Sequence, residues 1–447
     1  MESGSGIPAR PVLHAITRPL SRVPADLLAY ADPHEPLVWT RGDRGCIGAG
    51  EALRLTFEGP TRFADAALAW REISAAAVVD DPVDLPGTGL VAFGSFAFGD
   101  WSGAKSVLVV PRVIVARHRG SAWVTEVSQG ALGREPQLPQ GLPIGAWSGV
   151  DLPVTDPDGA YLTGVRDATA RIERGVAPDG KAIEKIVLAR RVRGSIAADE
   201  DLRVPLERLA TRYDDCWTYA VDGLIGSSPE TLVRQTDGTI SARVLAGTRG
   251  RKPGDPEADA RARDELLTSA KEQHEHDFAV QSVVTALAPH VRDLRTSEEP
   301  FALELPNVWH LATDLGAVPG DEASSLELAA ALHPTAAVAG TPTSAAVRAI
   351  AELEPFDRER YAGAVGWIDA AGEGEWVIAL RCAQLGPASA RGAETGDRAG
   401  SAPAPRRSIT AYAGGGIVAG SDPDREFAET VSKFKPISEA FSSGTPR

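Results

Sequence analysis

The chain has 447 residues, of which 43% are hydrophobic and 24% charged, a composition typical of globular proteins. Asp and Glu number 61 against 46 Lys and Arg, and the net charge of -15 argues against a general nucleic-acid-binding or anionic-membrane surface. An anionic substrate would therefore need a local cationic site, made of basic side chains or a metal ion.

The cysteines and the hydrophobic runs bear on the cellular compartment. Cys46, Cys216 and Cys382 form an odd, sparse set that predicts neither a disulfide framework nor a thiolate metal site. Residues 1–20 lack the basic stretch and apolar core of a secretory signal, and no run approaches the roughly 18 apolar residues of a membrane span. These observations predict a cytoplasmic protein that does not enter a membrane.

Residues 1–154 are rich in glycine and proline and are predicted to form a sheet-rich N-terminal half. The short apolar runs at 90–99 and 106–117 predict strands within it. The segment 129–147 carries several Gly and Pro residues and is predicted to be a loop or linker.

The pattern changes near residue 155, where a second half, 155–447, is predicted to begin. Apolar residues at helical spacing up to Val176 predict a helix that starts near Ala160, with Asp158 as its cap. The β-branched run 185–196 predicts a strand. Further strands are predicted over 224–248, joined by a hairpin at Asp237 and Gly238.

The remainder of the chain alternates between helical and strand patterns. Residues 259–289 predict a helix, 361–385 predict strands, and 409–418 predict a last strand before a helix that starts near Pro423. The low-complexity segment 386–408 lies between two strand patterns, so we expect a long, mobile hairpin insertion there.

The stretch KEQHEH, residues 271–276, concentrates acidic and imidazole side chains. His274 and His276 would point about 200° apart on a helix, so they cannot share a zinc ion. Glu272 and Glu275 are three residues apart and share a helix face, and carboxylates without sulfur ligands suit a hard ion such as Mg²⁺. Taken alone, the stretch fits a solvated charged helix face better than a metal site.

Several motifs together resemble those of the chorismate-utilising enzymes, which include isochorismate synthases, salicylate synthases, anthranilate synthase large subunits and aminodeoxychorismate synthases. The motifs are KIVLAR (185–190), SSPETLV (227–233), AGTRGR (246–251), KEQHEH (271–276), LHPTAAVAGTP (332–342), YAGAVGWID (361–369), GEWVIALRCAQL (374–385), YAGGGIVAGSDP (412–423) and REFAETVSK (425–433). Their order and spacing also match over residues 155–436, whereas the N-terminal half matches only loosely.

This resemblance implies an α+β fold of two large, mostly antiparallel sheets packed face to face, with peripheral helices and a site in the cleft between the sheets. It implies that residues 1–154 and the chorismate-binding half 155–447 form one compact unit. It also implies a monomer that binds the small molecule chorismate and has no glutaminase subunit.

The resemblance further implies that Mg²⁺ joins the ring carboxylate of chorismate to two glutamates. The matching positions are Glu275 and Glu429. Glu272 and Glu426 lie three residues earlier on the same helix faces and are expected to hold metal-bound waters. Two such pairs would suit an octahedral ion that keeps some of its water.

Other residues match family positions around the substrate. The expected substrate-binding residues are Gly247, Thr248, His333, Tyr361, Arg381, Gly414, Gly415, Gly416 and Lys433. Arg381 and Tyr361 match family residues that hold the enolpyruvyl carboxylate, and a guanidinium fork suits a carboxylate better than an ammonium does. The alternative for Arg381 is a structural salt bridge, and the role of His333 is open.

Lys185 bears on the reaction, because family members that add water resemble this sequence in having a lysine there. Water attack at C2 of chorismate needs a base, and a neutral lysine can be one. Glu230 matches the acid that assists loss of the C4 hydroxyl, for which its pKa must be raised. The expected product is isochorismate.

Salicylate synthases are the alternative, because they use the same groups and then eliminate pyruvate. Ala337 stands where the pyruvate-eliminating members tend to carry Thr, which favours a reaction that stops at isochorismate. An ammonia-using synthase and a catalytically inactive homologue are the other readings, and Lys185 argues against the first.

Overall fold

The computed structural model describes residues 11–175, 182–252, 254–306, 308–388 and 405–444. Residues 389–404, which make up most of the insertion predicted at 386–408, lie outside the described residues, and so does Val176.

The strands fall into two large sheets. They are β1 (His14–Pro19), β2 (Leu37–Arg41), β3 (Arg44–Ala49), β4 (Leu53–Phe57), β5 (Val78–Asp80), β6 (Val91–Ser95), β7 (Ser106–Val110), β8 (Val113–His118), β9 (Ser121–Ser128), β10 (Lys185–Ala197), β11 (Trp217–Val221), β12 (Leu224–Ser228), β13 (Thr231–Thr236), β14 (Thr239–Gly250), β15 (Val291–Thr296), β16 (Phe301–Glu304), β17 (Val308–Pro319), β18 (Gly340–Thr341), β19 (Ala364–Asp369), β20 (Gly374–Ile378), β21 (Cys382–Leu385) and β22 (Arg406–Val418).

The helices are interspersed with the strands along the chain. They are α1 (Arg62–Ala76), α2 (Ala160–Arg174), α3 (Arg203–Arg212), α4 (Pro256–Thr268), α5 (Ala270–Leu287), α6 (Ser325–Leu332), α7 (Thr343–Leu353) and α8 (Pro423–Phe441), with one short 3-10 turn at Leu28–Tyr30. Within the described ranges, no helix has the length and apolar character needed to cross a bilayer.

The first sheet has the strand order β18-β10-β22-β21-β12-β11-β2-β3-β8-β9-β1-β5, and the second has the order β15-β17-β14-β13-β20-β19-β6-β7-β4, with β16 beside β17. Neighbouring strands are antiparallel apart from the parallel pair β1 and β5. One continuous buried cluster contains Trp39 from the first sheet together with Phe93 and Trp376 from the second. The expected α+β fold with two large, mostly antiparallel sheets is confirmed.

In each sheet, a strand of the N-terminal half pairs with a strand of the later half. In the first sheet β2 pairs with β11, and in the second β6 pairs with β19. The segment 129–147 contains no helix or strand, as predicted. The N-terminal half therefore shares both sheets with the later half.

Two element boundaries show how far local sequence signals could be interpreted. Asp237 and Gly238 both have positive φ, 51° and 67°, as a two-residue hairpin turn between β13 and β14 requires, so that prediction is confirmed. Asp158 as the cap of α2 is wrong. The helix follows Gly159, which is in the left-handed conformation, and the Asp156 carboxylate accepts from the first-turn backbone N–H groups instead.

The single helix predicted over 259–289 is two helices, α4 and α5. Ser269 is extended, with φ -73° and ψ 110°, and its hydroxyl accepts from the backbone N–H of Glu272. A serine that caps a new helix in this way separates the two segments. The cap places Glu272 and Glu275 in the first turns of α5.

Candidate active site

A cleft that is partly open to solvent lies where β10 and β22 of the first sheet face β14 and β17 of the second, with α5 and α8 beside them. Most of the residues predicted from sequence line it. They are Lys185, Glu230, Gly247, Thr248, Glu272, Glu275, Tyr361, Arg381, Gly414, Gly416, Glu426, Glu429 and Lys433. Residues up to 248 positions apart in the chain, Lys185 and Lys433, thus contribute to one site.

Lys185 is the first residue of β10 and is 7% exposed. Its Nζ donates to Oε1 of Glu275 over 2.6 Å. Burial acts to raise the pKa of Glu275, but Lys185 and Lys433 outweigh it and hold that pKa below its ordinary value. Glu275 is therefore a charged carboxylate at neutral pH.

Glu230 lies in the short link between β12 of the first sheet and β13 of the second, where the chain passes from one sheet to the other. The residue is 5% exposed. Burial raises the pKa of Glu230 to about 8, although Arg381 and Lys185 act in the opposite direction. Its carboxyl group is therefore protonated at neutral pH and can donate a proton.

Glu272 stands one turn before Glu275 on α5, and its Oε2 accepts from the backbone N–H of Thr248 over 3.2 Å. Burial raises the pKa of Glu272, and the charge of Glu275 adds to the effect. The charges of Lys271 and Arg249 act in the opposite direction but do not outweigh these two effects.

The second carboxylate pair is on α8. Oε1 of Glu426 accepts from the hydroxyl of Ser421 over 2.9 Å, and burial followed by the charge of Glu429 raises the pKa of Glu426. Oε1 of Glu429 lies 2.5 Å from Nζ of Lys433. Lys433 also donates to the carbonyl oxygen of Gly414 over 2.9 Å.

The four glutamates form two pairs of oxygen donors on the wall of one cleft, which is a donor set that fits a hard ion such as Mg²⁺. Across the described ranges, no three His, Cys, Asp or Glu side chains are close enough to share an ion. Glu275 and Glu429 instead bond to Lys185 and Lys433. Glu272 and Glu426 have raised pKa values. A bound divalent cation would lower them, because it stabilises the charged carboxylates.

Two glycines of the cleft have little room for a side chain. A Cβ at Gly416 would lie 2.8 Å from Cε of Lys185 and would displace the lysine. Gly247 has a φ of +84°, and a Cβ there would lie 3.2 Å from Oε2 of Glu272. Gly415, between the two lining glycines of β22, faces Glu426, with 3.3 Å from its ideal Cβ position to Oε2.

Arg381 lies between β20 and β21, at another point where the chain passes between the sheets. Its φ of 48° is in the left-handed region, which is uncommon for an arginine and is typical of functional sites. Its Nη2 is 3.5 Å from Nε2 of His310, a residue that the sequence analysis missed.

His310 is on β17, lines the cleft and is 6% exposed. Burial, with the charge of Arg381, lowers the pKa of His310 to about 3, so the imidazole is neutral. Its Nδ1 is 2.9 Å from the hydroxyl of Thr248, and the arginine side chain can only donate, so Nε2 is left as the acceptor. A lone histidine inside the apolar run 308–312 was the signal that could have found it.

His333 does not lie in the cleft, so that substrate-binding prediction is wrong. Its Nε2 is 3.0 Å from the carbonyl oxygen of Phe98, and its ring packs against Phe63 and Phe98. Burial lowers its pKa to about 4. The C-terminal end of α6 directs this side chain into the N-terminal half of the molecule.

The histidines of KEQHEH also have structural surroundings. The ring of His274 packs edge-on against Phe278. His276 is buried, with its Nδ1 3.1 Å from the carbonyl oxygen of Ala246 and its Nε2 2.7 Å from the hydroxyl of Thr313. Both nitrogens of His276 therefore have partners other than a metal.

Comparison with known proteins agrees with this site. The family described as chorismate binding enzyme matches residues 154–442. The chain is 38% identical to isochorismate synthase DhbC of Bacillus subtilis, over 64% of this chain and 69% of that protein. It is 31% identical, over 97% of this chain and 91% of the other, to the salicylate biosynthesis isochorismate synthase of Pseudomonas aeruginosa.

Solved structures show the same fold. A putative 2,3-dihydroxybenzoate-specific isochorismate synthase, DhbC, from Bacillus anthracis matches with a TM-score of 0.69 and 29% identity, over 93% of this chain and 98% of that one. The menaquinone-specific isochorismate synthase MenF of Escherichia coli matches with a TM-score of 0.70 and 25% identity, over 96% and 95%. The chain belongs to the chorismate binding enzyme family.

Proposed function

We propose that the protein is an isochorismate synthase, which adds water at C2 of chorismate and releases the C4 hydroxyl. The observation that carries this proposal is the presence of Lys185 and the protonated Glu230 in one cleft with four glutamates. Relatives with 31–38% identity bear the name isochorismate synthase, which supports the same reaction.

Lys185 would act as the base. Lys185 is a buried amine at the start of β10, and in its neutral form it can accept a proton from the attacking water. Gly416 supports this role, because its missing side chain leaves space beside Cε of Lys185. The new C2–O bond forms as the proton passes to Nζ.

Glu230 would act as the acid at C4. Its pKa of about 8 keeps the carboxyl protonated at neutral pH, and the proton passes to the departing hydroxyl, which leaves as water. The ring double bonds shift as the C4–O bond breaks. Water is consumed at C2 and released at C4, so the reaction is an isomerisation.

Because the net charge of the chain is -15, the anionic groups of chorismate must be bound by a local cationic site. Arg381, Tyr361 and Lys433 line the cleft, where Arg381 and Tyr361 would hold the enolpyruvyl carboxylate and Lys433 would lie near the ring carboxylate. Arg381 is kept in place beside the neutral His310, which offers it an acceptor and no competing charge.

Mg²⁺ would be held by Glu275 and Glu429, with Glu272 and Glu426 as acceptors for metal-bound water. Bound there, it would neutralise the ring carboxylate and orient the substrate. We also propose that the enzyme acts in the cytoplasm as a monomer and without a glutaminase subunit.

The nucleophile is tested by incubating the purified protein with chorismate and Mg²⁺ in a buffer free of ammonium and glutamine. Turnover at full rate is expected, because water is the nucleophile. A rate that appears only when ammonium is added would overturn the proposal in favour of an amine-forming synthase. Absence of turnover under both conditions would indicate a binding protein without activity.

A further inference from the structure

Tyr161 has a buried hydroxyl that the proposed reaction does not use. The residue lies in the first turn of α2 and is 5% exposed, and no described residue accepts or donates a hydrogen bond at its Oη. Leaving a polar group buried without a partner costs about 1–3 kcal/mol. We therefore expect this hydroxyl to have a hydrogen-bond partner in another state of the site.

The position of Gly415 identifies that partner. A Cβ built at Gly415 would lie 3.2 Å from Oη of Tyr161, 3.3 Å from Oε2 of Glu426 and 4.0 Å from Oε1 of Glu429. The phenol and the two carboxylates therefore converge on the same small space, which is open only because residue 415 is glycine.

Glu426 has the free acceptor in this group. Its Oε1 already accepts from Ser421, whereas Oε1 of Glu429 is paired with Lys433. A phenol hydroxyl carries its proton at neutral pH, so Tyr161 can donate to a carboxylate. Oη of Tyr161 and Oε2 of Glu426 lie within 3.3 Å of the same point, so a rotation of the Glu426 carboxylate can bring Oε2 towards Oη.

We propose that Tyr161 is a positioning residue that donates from Oη to Oε2 of Glu426 and so fixes this carboxylate for Mg²⁺ binding. The inference rests on the proposed magnesium site. With Ser421 on one oxygen and Tyr161 on the other, Glu426 has a single orientation. Each carboxylate oxygen keeps a second lone pair that can accept from metal-bound water.

The test is calorimetric titration with Mg²⁺ alone of the wild type and of Tyr161→Phe, which removes only the hydroxyl. Outer-shell partners of a metal site are worth about 10- to 100-fold in affinity, and Tyr161 orients one of them, so the Kd for Mg²⁺ should rise by about tenfold in the variant. Thermal unfolding in EDTA should show equal or higher stability, because an unpaired buried hydroxyl is lost.

Tyr412→Phe is the matched control, because it removes a buried tyrosine hydroxyl of β22 whose acidic neighbour is Glu359, a residue outside the proposed metal site. Its Mg²⁺ affinity should equal that of the wild type. In a Glu426→Gln background, Tyr161→Phe should have no further effect on Mg²⁺ binding. An additional tenfold loss in that background would show that Tyr161 acts through another residue.

The outcomes separate the inference from the proposed function. Wild-type protein that binds no Mg²⁺ would overturn the metal site and the inference with it. Wild-type protein that binds Mg²⁺ with the same affinity as Tyr161→Phe would overturn the role of Tyr161 alone.

Discussion

Nζ of Lys185 lies 2.6 Å from Oε1 of Glu275, so the proposed base and a proposed metal ligand form one ion pair. Both side chains are largely buried, with exposures of 9% and 19%. A charge-assisted hydrogen bond in such surroundings is strong. An ion that binds to Glu275 must therefore compete with Lys185, and the two functions of the site are coupled.

Lys185→Met should abolish turnover while tightening Mg²⁺ binding. Loss of a general base costs about 10²- to 10⁴-fold in kcat. Removal of the ammonium frees Oε1 of Glu275 for the metal. Product formation measures the first effect and calorimetry the second, with the exposed Lys105→Met as the control. Turnover within tenfold of the wild type would refute the assignment of the base.

Glu275→Gln should weaken Mg²⁺ binding by more than Glu272→Gln does. The amide keeps the shape of the side chain but loses the charge that an inner ligand supplies. We expect a loss of over 100-fold for Glu275 against about 10- to 100-fold for the outer Glu272. Calorimetry decides this order, and the exposed Glu298→Gln serves as control. A larger loss at Glu272 would exchange the two assignments.

The raised pKa of Glu230 predicts the alkaline limit of activity. The acid is protonated below about pH 8 and loses its proton above it, so kcat/KM should fall as pH rises through that value. Glu230→Gln should lower kcat/KM by about 10²- to 10⁴-fold and remove this limb from the profile. A wild-type profile that stays flat to pH 10 would contradict the role of Glu230.

The same pKa predicts a stability effect with a defined sign. The unfolded chain releases the proton of Glu230 near pH 4.5 and the folded chain near pH 8, so folding loses stability from this group as pH rises between these values. Glu230→Gln should therefore gain stability relative to the wild type from pH 5 to pH 8. Denaturant unfolding at several pH values measures the difference, which should level off above pH 8.

Arg381→Lys should weaken chorismate binding without loss of folding. The substitution keeps the charge but removes the planar fork that binds a carboxylate through two hydrogen bonds. A charge-assisted hydrogen bond is worth about 1.5–3 kcal/mol, which corresponds to a rise in KM of about 10- to 100-fold. The exposed Arg295→Lys is the control, and an unchanged KM would indicate a structural role for Arg381.

Local patterns explain which parts of the fold the sequence could predict. Asp237 and Gly238 are two of the residues that tolerate positive φ, so the hairpin could be located from them. Ser269 ends one helical pattern and begins another, but its cap is visible only when the backbone beside it is known to be extended. Sequence patterns alone merged α4 and α5 for this reason.

The site could be predicted where contiguous motifs carry it, and less well where a single residue does. Lys185, Glu230 and Glu275 lie in contiguous motifs that resemble those of the family in order and spacing. The structure brings all three residues to one cleft. His333 ends a helix, and nothing in one sequence tells which side of the chain it will face. His310 lies in an apolar strand, and its neutral, buried state depends on Arg381 from a distant segment.

The identity of the product tests the central claim most directly. Purified protein should be incubated with chorismate and Mg²⁺, and the mixture should be analysed for isochorismate, salicylate and pyruvate. Ala337 lines the cleft and leaves no hydroxyl there to assist a second step, so isochorismate should accumulate without pyruvate. Fluorescent salicylate formed in equal amount with pyruvate would contradict the proposal and show a salicylate synthase.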